Sequence, residues 1–123
     1  MARLPNLDHF HLLDAEFVYE PSDDTFLLCD AIQNEKKLID SLLGRCDGIP
    51  TILEVGSGSG CVITFTTILL RNLGYNNILS MATDINPKAI AMTQKTAKSN
   101  GVCMSIKLEV SLAYKCKLFE GFC

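Results

Sequence analysis

Three glycines alternate with serines in Leu53-Glu-Val-Gly-Ser-Gly-Ser-Gly60, and a carboxylate, Asp84, follows further along the chain. Glycine lets a turn bring its backbone close to a ligand, because no Cβ intrudes. Gly56, Gly58 and Gly60 give the spacing G-x-G-x-G. A dinucleotide fingerprint, G-x-G-x-x-G, asks for glycine or alanine where this chain has Cys61. A pyrophosphate also rests on the positive start of a helix. Glu54, just before the loop, suits a positively charged ligand better. Asp84 stands near the place of a ribose-binding carboxylate, where it can accept from both hydroxyls. Its alternative role is a helix cap before Asn86-Pro87, as an ordinary tight turn is the alternative for the loop. Together these residues describe a nucleoside ligand with a cationic end and no phosphate. S-adenosylmethionine, with its amino group and sulfonium, has that chemistry.

The elements that must position these residues alternate in type. Glu20-Pro-Ser-Asp-Asp24 carries helix-start chemistry, with Ser22 or Asp23 as cap and acids at the positive end of the dipole. Phe26, Leu27, Ala31, Leu38 and Leu42 continue at near-helical spacing to Leu43, which predicts one helix. Gly44 to Pro50 is a breaker-rich connection. Thr51 to Val55 reads as a buried parallel strand. Cys61 to Leu73 is rich in β-branched residues. Its length and the closing Gly74 nevertheless predict a helix. Ile78 to Thr83 reads as a second strand. Asn86-Pro87 opens a helix that ends near Ser99, before Asn100-Gly101. Met104 to Val110 alternates apolar and polar residues as a third strand would. The order, helix-β-α-β-α-β, predicts an α/β fold with a parallel sheet and right-handed crossovers.

The 123 residues suffice for one domain, and 48% apolar with 20% charged residues is a globular composition. A net charge of −3, without basic clusters, offers nothing to a nucleic-acid backbone or an anionic membrane. The cysteines, Cys29, Cys46, Cys61, Cys103, Cys116 and Cys123, form no C-x-x-C pair and read as free thiols. His9 and His11 lack a third ligand, so they read as a surface pair and no metal site is expected. The N-terminus has neither a signal core nor a presequence, and the apolar run Cys61 to Leu70 is too short to cross a bilayer. Cytoplasmic or nuclear residence is the default.

Three segments together narrow the reading: Tyr19-Glu-Pro-Ser-Asp-Asp-Thr-Phe-Leu-Leu28, Leu53-Glu-Val-Gly-Ser-Gly-Ser-Gly60 and Thr83-Asp-Ile-Asn-Pro87. They resemble the eukaryotic branch of the HemK-type glutamine methyltransferases, over roughly Phe17 to Val102. The resemblance implies a Rossmann-like, class I S-adenosylmethionine-dependent methyltransferase fold, of which this chain carries the N-terminal half. It divides the chain into a lead-in (1–18), a cofactor-binding half-domain (19–110) and a divergent tail (111–123). It implies methylation of the glutamine amide in the Gly-Gly-Gln motif of the class I translation release factor, with histone lysine and DNA adenine also attributed to the branch. It implies a heterodimer with a small zinc-binding activator protein. By position, Thr25 would contact the cofactor from the first helix, Glu54 and Gly56 would line its methionine end, with Gly58 and Gly60 completing the loop, and Asp84 would hold the ribose.

The family's catalytic Asn-Pro-Pro-Tyr does not occur in the sequence, whose only Asn-Pro is Asn86-Pro87. No catalytic residue is therefore assigned. Nor does an Asp stand near Val110-Ser111, where the family has an acid beside the adenine, although Glu109 is close. From Cys103 onward the match stops, and the chain reads as truncated or alternatively spliced. A truncated sheet would leave one apolar edge of the glycine-loop strand unpaired. The competing readings are a non-catalytic fragment that binds cofactor or competes for the activator, and a nicotinamide-dependent oxidoreductase. The second is disfavoured by Cys61 and by the lack of a Tyr-x-x-x-Lys.

Overall fold

The computed structural model describes residues 2–11 and 14–102. A single 3-10 turn, Asp14–Glu16, precedes helices α1 (Asp23–Asn34) and α2 (Lys36–Leu43). Strand β1 (Thr51–Val55), helix α3 (Cys61–Asn72), strand β2 (Leu79–Thr83) and helix α4 (Pro87–Ser99) follow. The two strands are parallel, with Thr51 opposite Leu79 and Val55 opposite Thr83. That register puts both carboxyl ends at one edge, where the loops after β1 and β2 meet. Among the described residues β1 pairs with β2 alone. The third strand expected over Met104 to Val110, Glu109 with it, and the tail from Ser111 lie outside the described residues.

Helix α3 is the crossover between the strands, and it lies at the centre of the packing. Cys61, Phe65 and Leu69 face Cys29 and Ala2 in one buried cluster, with Phe26 and Ile32 of α1 against it. Ile63 and Leu70 are buried as well. A helix enclosed on most of its circumference can carry strand-favouring side chains, because tertiary burial outweighs their propensity. Its threonines also settle their hydroxyls locally. Thr66 and Thr67 donate to the carbonyls of Val62 and Ile63, each at 2.8 Å, the back-bonding open to hydroxyls inside a helix. Thr67 further meets Ser80 of β2 at 2.8 Å, which joins helix to sheet. Gly74, at φ 100°, closes the helix as its position predicted.

Three expectations need correction. Strand β1 was expected to be buried, yet Thr51, Leu53 and Val55 are exposed and Ile52 and Glu54 half-buried, because among the described residues it pairs with β2 alone. The helix predicted from the start signal to Leu43 is interrupted at Glu35, giving α1 and α2. The buried positions of α1 are Cys29 and Gln33. A straight continuation of their stripe would turn Lys37 and Asp40 inward. The break instead leaves both exposed and makes Ile39 and Leu43 half-buried. The second strand starts at Leu79 rather than Ile78.

The segment before α1 is strapped to the core. Ala2 donates its N–H to Gln33 of α1 at 2.9 Å. Asn6 and Asn100 exchange two bonds, Asn6 N–H to the Asn100 side chain at 2.6 Å and the Asn100 amide back to Asn6 at 2.9 Å. No described helix is long and apolar enough to cross a membrane.

Candidate cofactor-binding site

The loop that follows β1 is built by bonds from distant elements. Thr83, the last residue of β2, accepts the N–H groups of Gly56 at 2.7 Å and Ser57 at 3.0 Å. Asp84 then holds the next residue: one carboxylate oxygen accepts from Gly58 N–H and the other from Asn86 N–H, both at 2.9 Å. Gly56, Gly58 and Gly60 all have positive φ, at 77°, 54° and 76°. A Cβ on Gly60 would lie 2.6 Å from the Thr93 Cα, so α4 touches the loop backbone directly. At Gly56 and Gly58 a Cβ would meet nothing within 4 Å, which leaves the space over the loop open.

Gly60 is the N-cap of α3 and has no side chain with which to cap. Glu54 supplies the missing acceptor from the preceding strand. Its Oε2 accepts the N–H of Ile63, in the first turn of α3, at 3.0 Å. Ser59 Oγ accepts the N–H of Cys61 at 3.3 Å. The helix N-terminus is therefore already occupied by a carboxylate and a hydroxyl. A phosphate seeking this end of the helix would have to displace Glu54 or sit beside its charge. A cation faces the opposite situation. Burial pushes the Glu54 carboxyl up to about 7, the charge of nearby Asp84 adds to the rise, and the Ile63 N–H opposes it. A positive group beside Glu54 and Asp84 would screen their repulsion and offset the cost of burying the Glu54 charge.

The expected site residues fall into two groups. Glu54, Gly56, Gly58, Gly60 and Asp84 are brought together at the carboxyl ends of β1 and β2, tied by the bonds above. Asp84 is not a helix cap: Asn86 fills that role, its side chain accepting Lys88 N–H at 3.0 Å. Thr25 stands at the start of α1, its hydroxyl accepting Ser22 N–H at 3.4 Å. No hydrogen bond joins Thr25 to the glycine loop among the described residues. It lies one turn before Cys29, which touches Cys61 at the start of α3. Cys29, Cys46 and Cys61 carry free thiols. The Cys61 neighbour and burial together push the Cys29 thiol up.

Several polar residues under the loop escaped sequence reasoning. Thr93 and Thr96 of α4 are buried and donate to the loop carbonyls of Gly58 and Ser59, and the buried Ser57 hydroxyl meets that of Thr93. A signal existed, because both threonines fall on the inner stripe of α4 with Ala89, Met92 and Ala97. His9 is half-buried rather than a surface residue. Its Nε2 lies 2.8 Å from Thr96 Oγ1, and burial, with the charge of Lys95, lowers its pKa.

The sequence of this α/β unit is 42% identical over 85 residues to human methyltransferase HEMK2, covering 69% of this chain and 35% of the human protein. It is 41% identical to the mouse methyltransferase of the same name over the same length. The chain is related to the HemK-type methyltransferases. The fission-yeast eRF1 methyltransferase catalytic subunit mtq2 is 30% identical over 101 residues, or 81% of this chain and 42% of the yeast protein. No family model matches the chain. The chain thus spans about a third to two fifths of the length of these curated relatives. The mixed α/β architecture with a parallel sheet agrees with part of a Rossmann-like methyltransferase, with two strands described where three were expected.

Proposed function

We propose that this chain carries the S-adenosylmethionine-binding half of a methyltransferase. The observation that carries the reading is Glu54 on the first turn of α3, where a dinucleotide enzyme would keep its helix donors free for pyrophosphate. Glu54 and Gly56 would hold the methionine end, whose amino group and sulfonium offset the two carboxylates. Asp84 would hold the ribose. Both its oxygens already accept a backbone N–H, but an ionised carboxylate has about four acceptor sites, so two remain for hydroxyls. Thr25 would contact the cofactor from the start of α1, and Gly58 and Gly60 would shape the floor.

For the whole protein we propose the glutamine amide of Gly-Gly-Gln in a class I release factor as substrate. The fission-yeast relative, an eRF1 methyltransferase catalytic subunit, supports that assignment. A small zinc-binding activator subunit is the proposed partner. An amide nitrogen is a weak nucleophile because its lone pair is delocalised, so transfer depends on groups that accept its hydrogens and aim it at the methyl carbon. The family uses Asn-Pro-Pro-Tyr for this, and the sequence of this chain does not contain it. Alone, the chain is therefore read as a cofactor-binding but non-catalytic unit.

Calorimetry on the purified 123-residue chain tests the ligand: S-adenosylmethionine is expected to bind and NAD not to. Binding of NAD alone would overturn the reading. A methyl-transfer assay with a Gly-Gly-Gln peptide is expected to show no turnover by this chain, and turnover would refute its catalytic incompleteness.

A further inference from the structure

Beneath the glycine loop lies a layer of hydroxyls that each meet two polar partners. Thr93 and Thr96 lie three residues apart on α4 and are 2% and 0% exposed. Thr93 Oγ1 is 3.2 Å from the Gly58 carbonyl and 2.8 Å from Ser57 Oγ. Thr96 Oγ1 is 2.6 Å from the Ser59 carbonyl and 2.8 Å from His9 Nε2. A threonine has one hydroxyl proton, and a carbonyl oxygen can only accept. Each threonine proton is thus committed to the loop. For both contacts of each threonine to be hydrogen bonds, Ser57 donates to Thr93 and His9 donates its Nε2–H to Thr96. Two directed chains result, His9 to Thr96 to the Ser59 carbonyl, and Ser57 to Thr93 to the Gly58 carbonyl.

These chains fix peptide planes, not only oxygen atoms. A trans peptide is rigid, so holding the Gly58 carbonyl toward α4 turns the Ser59 N–H away from it. Among the described residues, that N–H meets no partner. Holding the Ser59 carbonyl fixes the following plane in the same way. Glycines on both sides would otherwise let either plane rotate at little steric cost. The contact between α4 and Gly60 removes the remaining slack.

We propose that Thr93 and Thr96 are positioning residues of the cofactor loop, pinning the Gly58 and Ser59 carbonyls so that the loop's open face presents the Ser59 N–H and a fixed curvature to S-adenosylmethionine. The proposal rests on the cofactor reading given above. It assigns the loop's shape to α4 and, through His9, to the lead-in segment.

The test compares Thr96→Val, which keeps the shape and loses the hydroxyl, with Thr96→Ser, which keeps the hydroxyl and loses a methyl. Two readouts are taken on the whole chain: calorimetric affinity for S-adenosylmethionine, and amide hydrogen exchange at Gly58, Ser59 and Gly60 without ligand. Thr96→Val is expected to weaken binding about tenfold, the effect of one hydrogen bond. It is also expected to speed exchange in the loop while β2 is unaffected, and Thr96→Ser to restore both. Wild-type affinity and exchange in Thr96→Val, or equal damage from both variants, overturns the proposal. If Thr96→Val does not fold, the same comparison at Thr93 decides the question. If the wild-type chain does not bind S-adenosylmethionine, the cofactor reading fails, and unchanged loop exchange in Thr96→Val would then count separately against the role of the threonines.

Discussion

Glu54 makes the sharpest quantitative prediction, because its two roles respond to pH in opposite senses. Its carboxyl rises from an ordinary 4.5 to about 7, an elevation worth about 3 kcal/mol at 1.36 kcal/mol per pH unit. In the folded chain the protonated form is thus favoured. Between pH 4.5 and about 7 the unfolded chain has released this proton and the folded chain has kept it. Glu54 therefore contributes stability that is fully present below 4.5 and is lost as pH rises through 7. A cationic ligand needs the ionised form. Its binding at pH 6 should release nearly one proton, and its binding at pH 8 almost none from this group. Affinity should rise with pH, by up to about tenfold per unit, and level off above 7. Calorimetry at both pH values, in buffers of different ionisation enthalpy, counts the protons. Glu54→Gln keeps an acceptor for the Ile63 N–H and removes the charge. It should unfold at higher denaturant than wild type at pH 8, bind S-adenosylmethionine more weakly, and release no proton from this site. Equal proton release by wild type and Glu54→Gln at pH 6 would refute the assignment, as would a variant less stable than wild type at pH 8.

Two further substitutions probe the same loop. Gly60→Ala combines a left-handed φ of 76° with a 2.6 Å approach to the Thr93 backbone, so it should cost about 2–4 kcal/mol in denaturant unfolding. A loss below about 1 kcal/mol would mean that α4 yields easily. Asp84→Ala removes the acceptor shared by Gly58 and Asn86 and should weaken S-adenosylmethionine binding by about 1–3 kcal/mol, the range for hydrogen bonds to a charged group. Unchanged affinity by calorimetry would leave Asp84 as a brace between the two loops.

The sequence made the elements around the site legible because each carries local punctuation. Asn86-Pro87, Gly74 and the alternating glycines fix where helices start and stop, and the structure places those boundaries where they were read. The burial of α3 was harder to read, since its β-branched residues favour strand locally. What decides for helix is its enclosure by α1, β1, β2 and α4, a property of the assembled core. The break at Glu35 has no Gly or Pro to announce it. It follows from which side chains a longer helix would have turned inward. Likewise nothing in the period of the lead-in shows Asn6 reaching Asn100, or His9 reaching Thr96. Those are pairings of single residues nearly ninety positions or more apart, and no local pattern encodes them.

The same separation explains how the candidate site is held. Few of the bonds that shape the glycine loop are local. Gly58 leans on Asp84, its carbonyl on Thr93 and that of Ser59 on Thr96, while α3 borrows its cap from Glu54. Three glycines fixed in one left-handed conformation, at the cost of their conformational freedom, and a carboxyl buried beside Asp84 are each unfavourable taken alone. They persist because the packed core over-determines them, and such local exceptions gather where a ligand is meant to bind. The loop therefore has its binding shape only when α4 and β2 are in place, and a ligand that recognises that shape must stabilise the fold. At a free concentration a hundredfold above Kd the gain is about 2.7 kcal/mol. That is close to what ionising Glu54 costs above pH 7. On the proposed reading, a cationic ligand at that concentration would offset a loss of this order, and the charge that weakens the empty fold would favour its binding.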